Sequence, residues 1–223
     1  MKHLEIYGDS ILKGVMYVAE QGRYRLWKSP KLEQLAQEGY AIENHSRMGA
    51  TIERGIASLE RHGEYAENTT VVLEYGGNDC DYDWSRIAED PHGSFLPHTP
   101  EQTFMQRYRY AVELARSKGA EVVLLPLVPI DAKKYFSWIS RDKNADNILQ
   151  WLGDVSMLSR WQEHYSRLVE GLAEELRCPI IDIRRDFLLS HQFETLLCSD
   201  GIHPTPAGHE MIAERLAGYL QTA

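Results

Sequence analysis

The chain has 223 residues, 43% hydrophobic and 26% charged, enough for a substantial core in one large domain spanning residues 1–223. Its 33 Asp and Glu against 24 Lys and Arg leave a net charge of −9, which opposes the counterion release on which most nucleic-acid binding depends. No run approaches the roughly 18 apolar residues of a membrane span, and Met1-Lys2-His3-Leu4-Glu5-Ile6 lacks the pattern of a secretory leader. Cys80, Cys178 and Cys198 are too scattered for a disulfide framework or a zinc site, so a soluble, cytoplasmic protein with reduced thiols is expected.

In chain order, residues 4–7 form a strand candidate stopped by Gly8, and the spacing predicts a helix from 11 to about 21. A helix over 31–37, a strand over 40–43 and a helix over 51–61 come next, the last with Ile52, Ile56 and Leu59 on one face. Thr70-Val71-Val72-Leu73-Glu74-Tyr75 is a strand ended by Gly76-Gly77. The long helix over 100–118 is expected to open with Thr99 as cap, Pro100 in first position and Gln102 completing a capping box, and to close at Gly119. Residues 121–127 and 179–183 supply two more strands, with a helix over 158–176 between them and a last helix over 206–220.

Strands interleaved with long helices require parallel crossovers and therefore a sheet covered on both faces. The expected architecture is α/β: a three-layer, flavodoxin-like fold with a five-stranded parallel sheet of order 2-1-3-4-5 and helices on each side. In such sheets ligands collect at the carboxyl ends of the strands. Two long connections, 80–98 and 131–157, leave from those ends and carry Trp84, Phe95, Phe136, Trp138 and Trp151, the second with a short helix around 147–152.

Four short motifs fall at the same predicted edge. Gly8-Asp9-Ser10 turns the first strand into the predicted helix and exposes the Ser10 hydroxyl. Ser199-Asp200-Gly201-Ile202-His203-Pro204 lies after the fifth strand, and three residues of chain span at most roughly 10 Å, so the Asp200 carboxylate can reach one imidazole nitrogen of His203 while the other faces outward. Gly76-Gly77-Asn78-Asp79 brings an amide side chain to the same edge, and Gly49, after the second strand, offers a backbone N–H. Singly, each has an ordinary reading: a helix cap, a surface histidine in a turn, a glycine turn, a loop glycine.

Together, in the order Ser, Gly, Asn, His, these pieces resemble the SGNH/GDSL hydrolase family over residues 6 to about 212. Ile11 stands where that family usually has Leu, and Ser46 where many members have glycine. The resemblance implies Ser10 as nucleophile, His203 as base and Asp200 as its orienter. It also implies an oxyanion hole from the N–H groups of Ser10 and Gly49 and the side chain of Asn78. It implies acyl transfer on a small-molecule ester without metal or cofactor, and no H-E-x-x-H, Walker A or Rossmann fingerprint points elsewhere. The aromatic connections suggest a partly covered pocket, with a carbohydrate O-acetyl ester first among substrates and a thioester or lysophospholipid behind it. The rival readings are a non-catalytic flavodoxin-like ligand-binding module and a phosphodiester or sulfate ester hydrolase; the second lacks a metal-ligand cluster.

Overall fold

A computed structural model describes residues 2–222. Four parallel strands, β1 (Lys2–Gly8), β4 (Tyr40–Asn44), β5 (Thr69–Glu74) and β6 (Glu121–Leu124), form the central sheet in the order β4-β1-β5-β6. Strands buried on both faces carry near-continuous apolar runs, and here alternate residues feed opposite layers. Val71 and Leu73 face the helices α2 (Ile52–Arg61), α4 (Glu101–Ser117) and α7 (Met157–Leu176), while Leu4, Ile6 and Val72 face α1 (Pro30–Gln37), α8 (Ile183–Leu189) and α10 (Pro206–Thr222). The three-layer parallel α/β arrangement expected from the sequence is present. Among the described residues no helix is long and apolar enough to cross a membrane.

The fifth strand is the first correction. Residues 179–183 touch the sheet through one parallel bridge, Leu124 to Ile180, with Leu124 N donating to Pro179 O at 3.0 Å and Ile181 N to Leu124 O at 3.1 Å. Pro179 has no N–H to extend the ladder, and the Asp182 side chain accepts from Arg185 N and starts α8 at once. The sheet thus keeps the predicted order with its last strand reduced to a single pairing.

The helix expected over 11–21 is the second. A chain of tight turns over 10–14 leads instead into an antiparallel hairpin, β2 (Val15–Val18) and β3 (Arg23–Leu26). Gly14 takes φ of 81°, and a Cβ there would sit 2.5 Å from Trp27 O, the carbonyl of the residue whose N–H bonds Gly14 O. That close approach at the hairpin base outweighs the helical spacing of Ile11, Val15 and Val18.

The capping box is the third. Helix α4 starts at Glu101 with Pro100 as its cap residue and no side-chain cap bond, because Thr99 Oγ1 donates to Asp79 Oδ1 at 2.7 Å instead. The two long connections hold α3 (Trp84–Glu89), α5 (Ala132–Ser140) and α6 (Ala145–Leu152), the last beginning two residues before the short helix expected there. With the start of α7 they share a separate apolar cluster around Trp84, Ile87, Tyr135, Ile148 and Leu158. A short helix α9 (Phe193–Leu196) precedes the Asp200 loop.

Candidate active site

Ser10 sits two residues past β1, held by Asp9. The Asp9 carboxylate accepts from Ile11 N at 2.8 Å, its carbonyl accepts from Lys13 N at 3.1 Å, and Ser10 O accepts from Val15 N at 2.9 Å. This closes the turn without a helix, so no helix dipole points at the Ser10 hydroxyl. The loop from Cys198 to Pro204 supplies the partners. Gly201 has φ of 78°, and a Cβ there would meet Tyr135 N at 2.5 Å and Asp131 O at 2.7 Å, so only glycine permits this turn against the start of α5. The turn aims Asp200 Oδ1 at the backbone N–H groups of Ile202 and His203, at 3.2 and 3.1 Å, and Asp200 Oδ2 at His203 Nδ1, at 2.6 Å.

The other imidazole nitrogen, His203 Nε2, lies 2.9 Å from Ser10 Oγ, across a sequence separation of 193 residues. Ser10, His203 and Asp200 are 7%, 3% and 0% exposed, so the row of three works out of bulk water, where charge-assisted hydrogen bonds are strong. Asp200 receives three hydrogen bonds, which fix the carboxylate and, through it, the ring orientation. Such a row can take a proton from Ser10 Oγ and carry the resulting imidazolium.

Around Ser10 the candidate oxyanion donors differ in readiness. Among the described residues the N–H groups of Ser10 and Gly49 have no acceptor within the protein, and Gly49 is exposed. Asn78 is otherwise occupied: Nδ2 donates both to Asp9 Oδ2 at 2.9 Å and to Ala50 O at 3.1 Å. Its amide reaches an oxyanion by releasing or sharing one of these bonds.

Beneath it lies a group that none of the four motifs marks. Glu74, 1% exposed at the end of β5, has its Oε2 buried without a hydrogen-bond partner among the described residues, and burial followed by the nearby Asp9 charge raises its carboxyl well above the usual range, so it carries the proton of the pair. The available signal is a lone glutamate inside an apolar strand run, a position almost never filled by an unpaired charge. Asp79 is likewise buried at 0% exposure, takes bonds from Ile52 N and Thr99 Oγ1, and is pushed up to about 6 by burial. Tyr24 of the unpredicted hairpin packs edge-on against His203 with ring centroids 5.0 Å apart. Burial and the nearby Asp200 push its phenol up to about 12.

Next to Ser10, Gly77 and Asn78, a cavity of about 110 Å³ runs under α3, α6 and the start of α7. Its walls are chiefly apolar and aromatic, with Trp84, Ile130, Trp151, Leu158 and Trp161 prominent. Of the five Trp and Phe residues in the long connections, Trp84 and Trp151 line this cavity; Trp138 instead packs on Tyr17 and Tyr24 of the hairpin, at 4.6 and 6.3 Å, and Phe95 and Phe136 pack against the same helical cluster. Cys80 also lines it as a buried thiol, raised by desolvation.

Residues 6–211 match the model of the GDSL-like lipase/acylhydrolase family. A GDSL esterase/lipase of Arabidopsis thaliana is 24% identical over 156 residues, 69% of this chain; the match spans only about half, 54%, of that longer protein. Two solved structures show the same fold. A lipase/acylhydrolase from Enterococcus faecalis is 15% identical with a TM-score of 0.65, over 100% of this chain and 96% of that one. A variant of an acetyl xylan esterase from Geobacillus stearothermophilus is 19% identical with a TM-score of 0.67, over 96% and 92%. With residues 6–211 of the chain matched by the family model, this chain belongs to the GDSL-like lipase/acylhydrolase family.

Proposed function

We propose that Ser10 attacks the acyl carbonyl of a small ester, with His203 as general base and Asp200 orienting it. The observation carrying this reading is the buried row of 2.9 and 2.6 Å contacts from Ser10 Oγ through His203 to Asp200. The N–H groups of Ser10 and Gly49, with Asn78 after it gives up a resting bond, stabilise the tetrahedral oxyanion. His203 then protonates the leaving alkoxide, and a water, activated by the same imidazole, releases the acid from the acylated Ser10. A fluorophosphonate probe should label the wild type and leave Ser10→Ala unlabelled; equal labelling of both sinks the assignment and favours a binding module.

For the substrate, the apolar cavity beside Ser10 favours an acyl group with a short hydrocarbon chain or a small ring. An engineered apolar cavity of about 150 Å³ holds a benzene, so 110 Å³ suits on the order of four to six carbons. A sugar ring has too many hydroxyls for such walls, and on this reading the alcohol half lies outward toward Tyr24 and Trp138. The O-acetyl carbohydrate esters expected from the sequence stand as the second reading, favoured by the fold shared with an acetyl xylan esterase. A panel of p-nitrophenyl esters from two to twelve carbons, run beside acetylated xylose and glucose, separates them. The first reading expects kcat/KM to peak near butyrate or hexanoate, and a preference for acetylated sugars overturns it.

A further inference from the structure

On the face of the sheet covered by α2, a second set of donor groups converges far from Ser10. Glu5 lies in the middle of β1, five residues before Ser10, a separation of about 17 Å along an extended strand. Its register partner on β4 is Glu43, so two carboxylates stand side by side on neighbouring strands. His45, immediately past β4, stacks on Tyr7 with centroids 4.5 Å apart and places Nε2 2.5 Å from Glu5 Oε2. His62, immediately past α2, stacks on Tyr65 at 4.2 Å, and Tyr65 OH donates to Tyr7 OH at 3.0 Å, so both rings rest on one linked tyrosine platform. One ligand atom from each of Glu5, His45 and His62 lies within 4.8 Å of the other two. Glu43 Oε2 is 3.9 Å from His45 Nε2 and is exposed enough to swing.

We propose that Glu5, His45 and His62 form a binding site for a divalent transition metal of the zinc class, with Glu43 or water in the fourth position. Two imidazoles and a carboxylate are the borderline ligands such an ion prefers. His62 is oriented as metal-bound histidines are: Nδ1 donates to Gly63 O at 3.1 Å, leaving the Nε2 lone pair for the ion. Tetrahedral zinc with bonds near 2.0–2.1 Å separates its ligands by roughly 3.3 Å, so the Glu5–His45 contact at 2.5 Å has to open by less than about 1 Å and the others, within 4.8 Å, to close by at most about 1.5 Å. Glu5 is 7% exposed while His45 and His62 are half-buried, which gives the ion an entry path from solvent. An ion pair between Glu5 and His45 alone accounts for the buried carboxylate but not for His62 and Glu43 gathering beside it. The ion would tie β1, the end of β4 and the end of α2 together without touching the hydrolytic centre.

Equilibrium dialysis of the full, chelator-stripped chain against zinc chloride tests this. The wild type should bind about one ion per chain with a rise in Tm, and His203→Ala should bind it equally. His62→Ala and His62→Gln should each weaken binding by about a hundredfold or more and abolish the rise in Tm, while hydrolysing p-nitrophenyl butyrate like the wild type. No saturable zinc in the wild type, unchanged binding in both His62 variants, or loss of binding in His203→Ala overturns the proposal.

Discussion

Two regions meet at Ser10, and they are built on different principles. The strand-end loops of Asp9, Ser10, Gly49, Asn78, Asp200 and His203 are polar and held by specific hydrogen bonds, each from a stretch of six residues or fewer. The helical cover of α3, α5, α6 and the start of α7 is apolar, held by packing among side chains from residues 84 to 158. On our reading, chemistry is concentrated in the first region and substrate choice in the second. Changes in one should be largely silent in the other.

The strongest way to break that comparison is His203→Ala, expected to lower kcat on p-nitrophenyl butyrate by on the order of 10⁴, since triad members act as a unit, with the melting temperature little changed. Stopped assays retaining above a tenth of wild-type activity would remove His203 as base.

A smaller effect, on stability, is expected at the edge of the same region. Burial depresses His209 to about 4 from its ordinary 6.5, and its Nε2–H donates to Val15 O at 2.9 Å, tying α10 to the hairpin. The unfolded chain takes up a proton below pH 6.5 and the folded chain does not until about 4. Stability from this group is therefore present above pH 6.5 and lost as pH falls to 4, by up to about 3 kcal/mol at 1.36 kcal/mol per pKa unit. Buried Asp79 works in the opposite sense: its carboxyl is raised, so its contribution is present at low pH and lost as pH rises through about 6. Urea denaturation at pH 4.0 and 6.5 should therefore show a shallower difference in His209→Gln than in the wild type. Parallel profiles would contradict the assignment.

Asn78→Ala should cost about 10²-fold in kcat, the scale for one oxyanion donor, and equally for acetate and hexanoate esters. An unchanged rate would take Asn78 out of the hole. The smallest effect belongs to the second region. Ile130→Phe, which adds bulk to the cavity wall, should lower kcat/KM for the hexanoate ester about tenfold relative to the acetate, within the range for one or two methylenes in an apolar pocket. A uniform fall across chain lengths would mean that the two regions are not separable.

The same division explains what is legible in the sequence. That Ser10, Asp200 and His203 meet is legible because a strand end, a glycine turn and a proline lie within a few residues of them, and parallel topology brings such ends to one edge whatever lies between. The layers, four of the strands and most long helices are legible from apolar period for the same local reason. The hairpin over 15–26 is not: residues 11–21 carry helical spacing, and what overrides it is the contact between Gly14 and Trp27, visible only in three dimensions. Glu74 escapes notice because its partner Asp9 is distant in sequence, and the occupied state of Asn78 because Ala50 and Asp9 reach it from two other loops.

That occupied amide changes what the site offers to different states of a substrate. On the proposed mechanism, a neutral ester carbonyl has to compete with Asp9 and Ala50 O for the hydrogens of Asn78, and it is a weaker acceptor than a carboxylate. A full oxyanion competes far better. The third donor is therefore withheld from the bound ester and released as charge develops, so its stabilisation appears in the barrier and not in the affinity. A site arranged in this way binds its ground state loosely and turns over quickly.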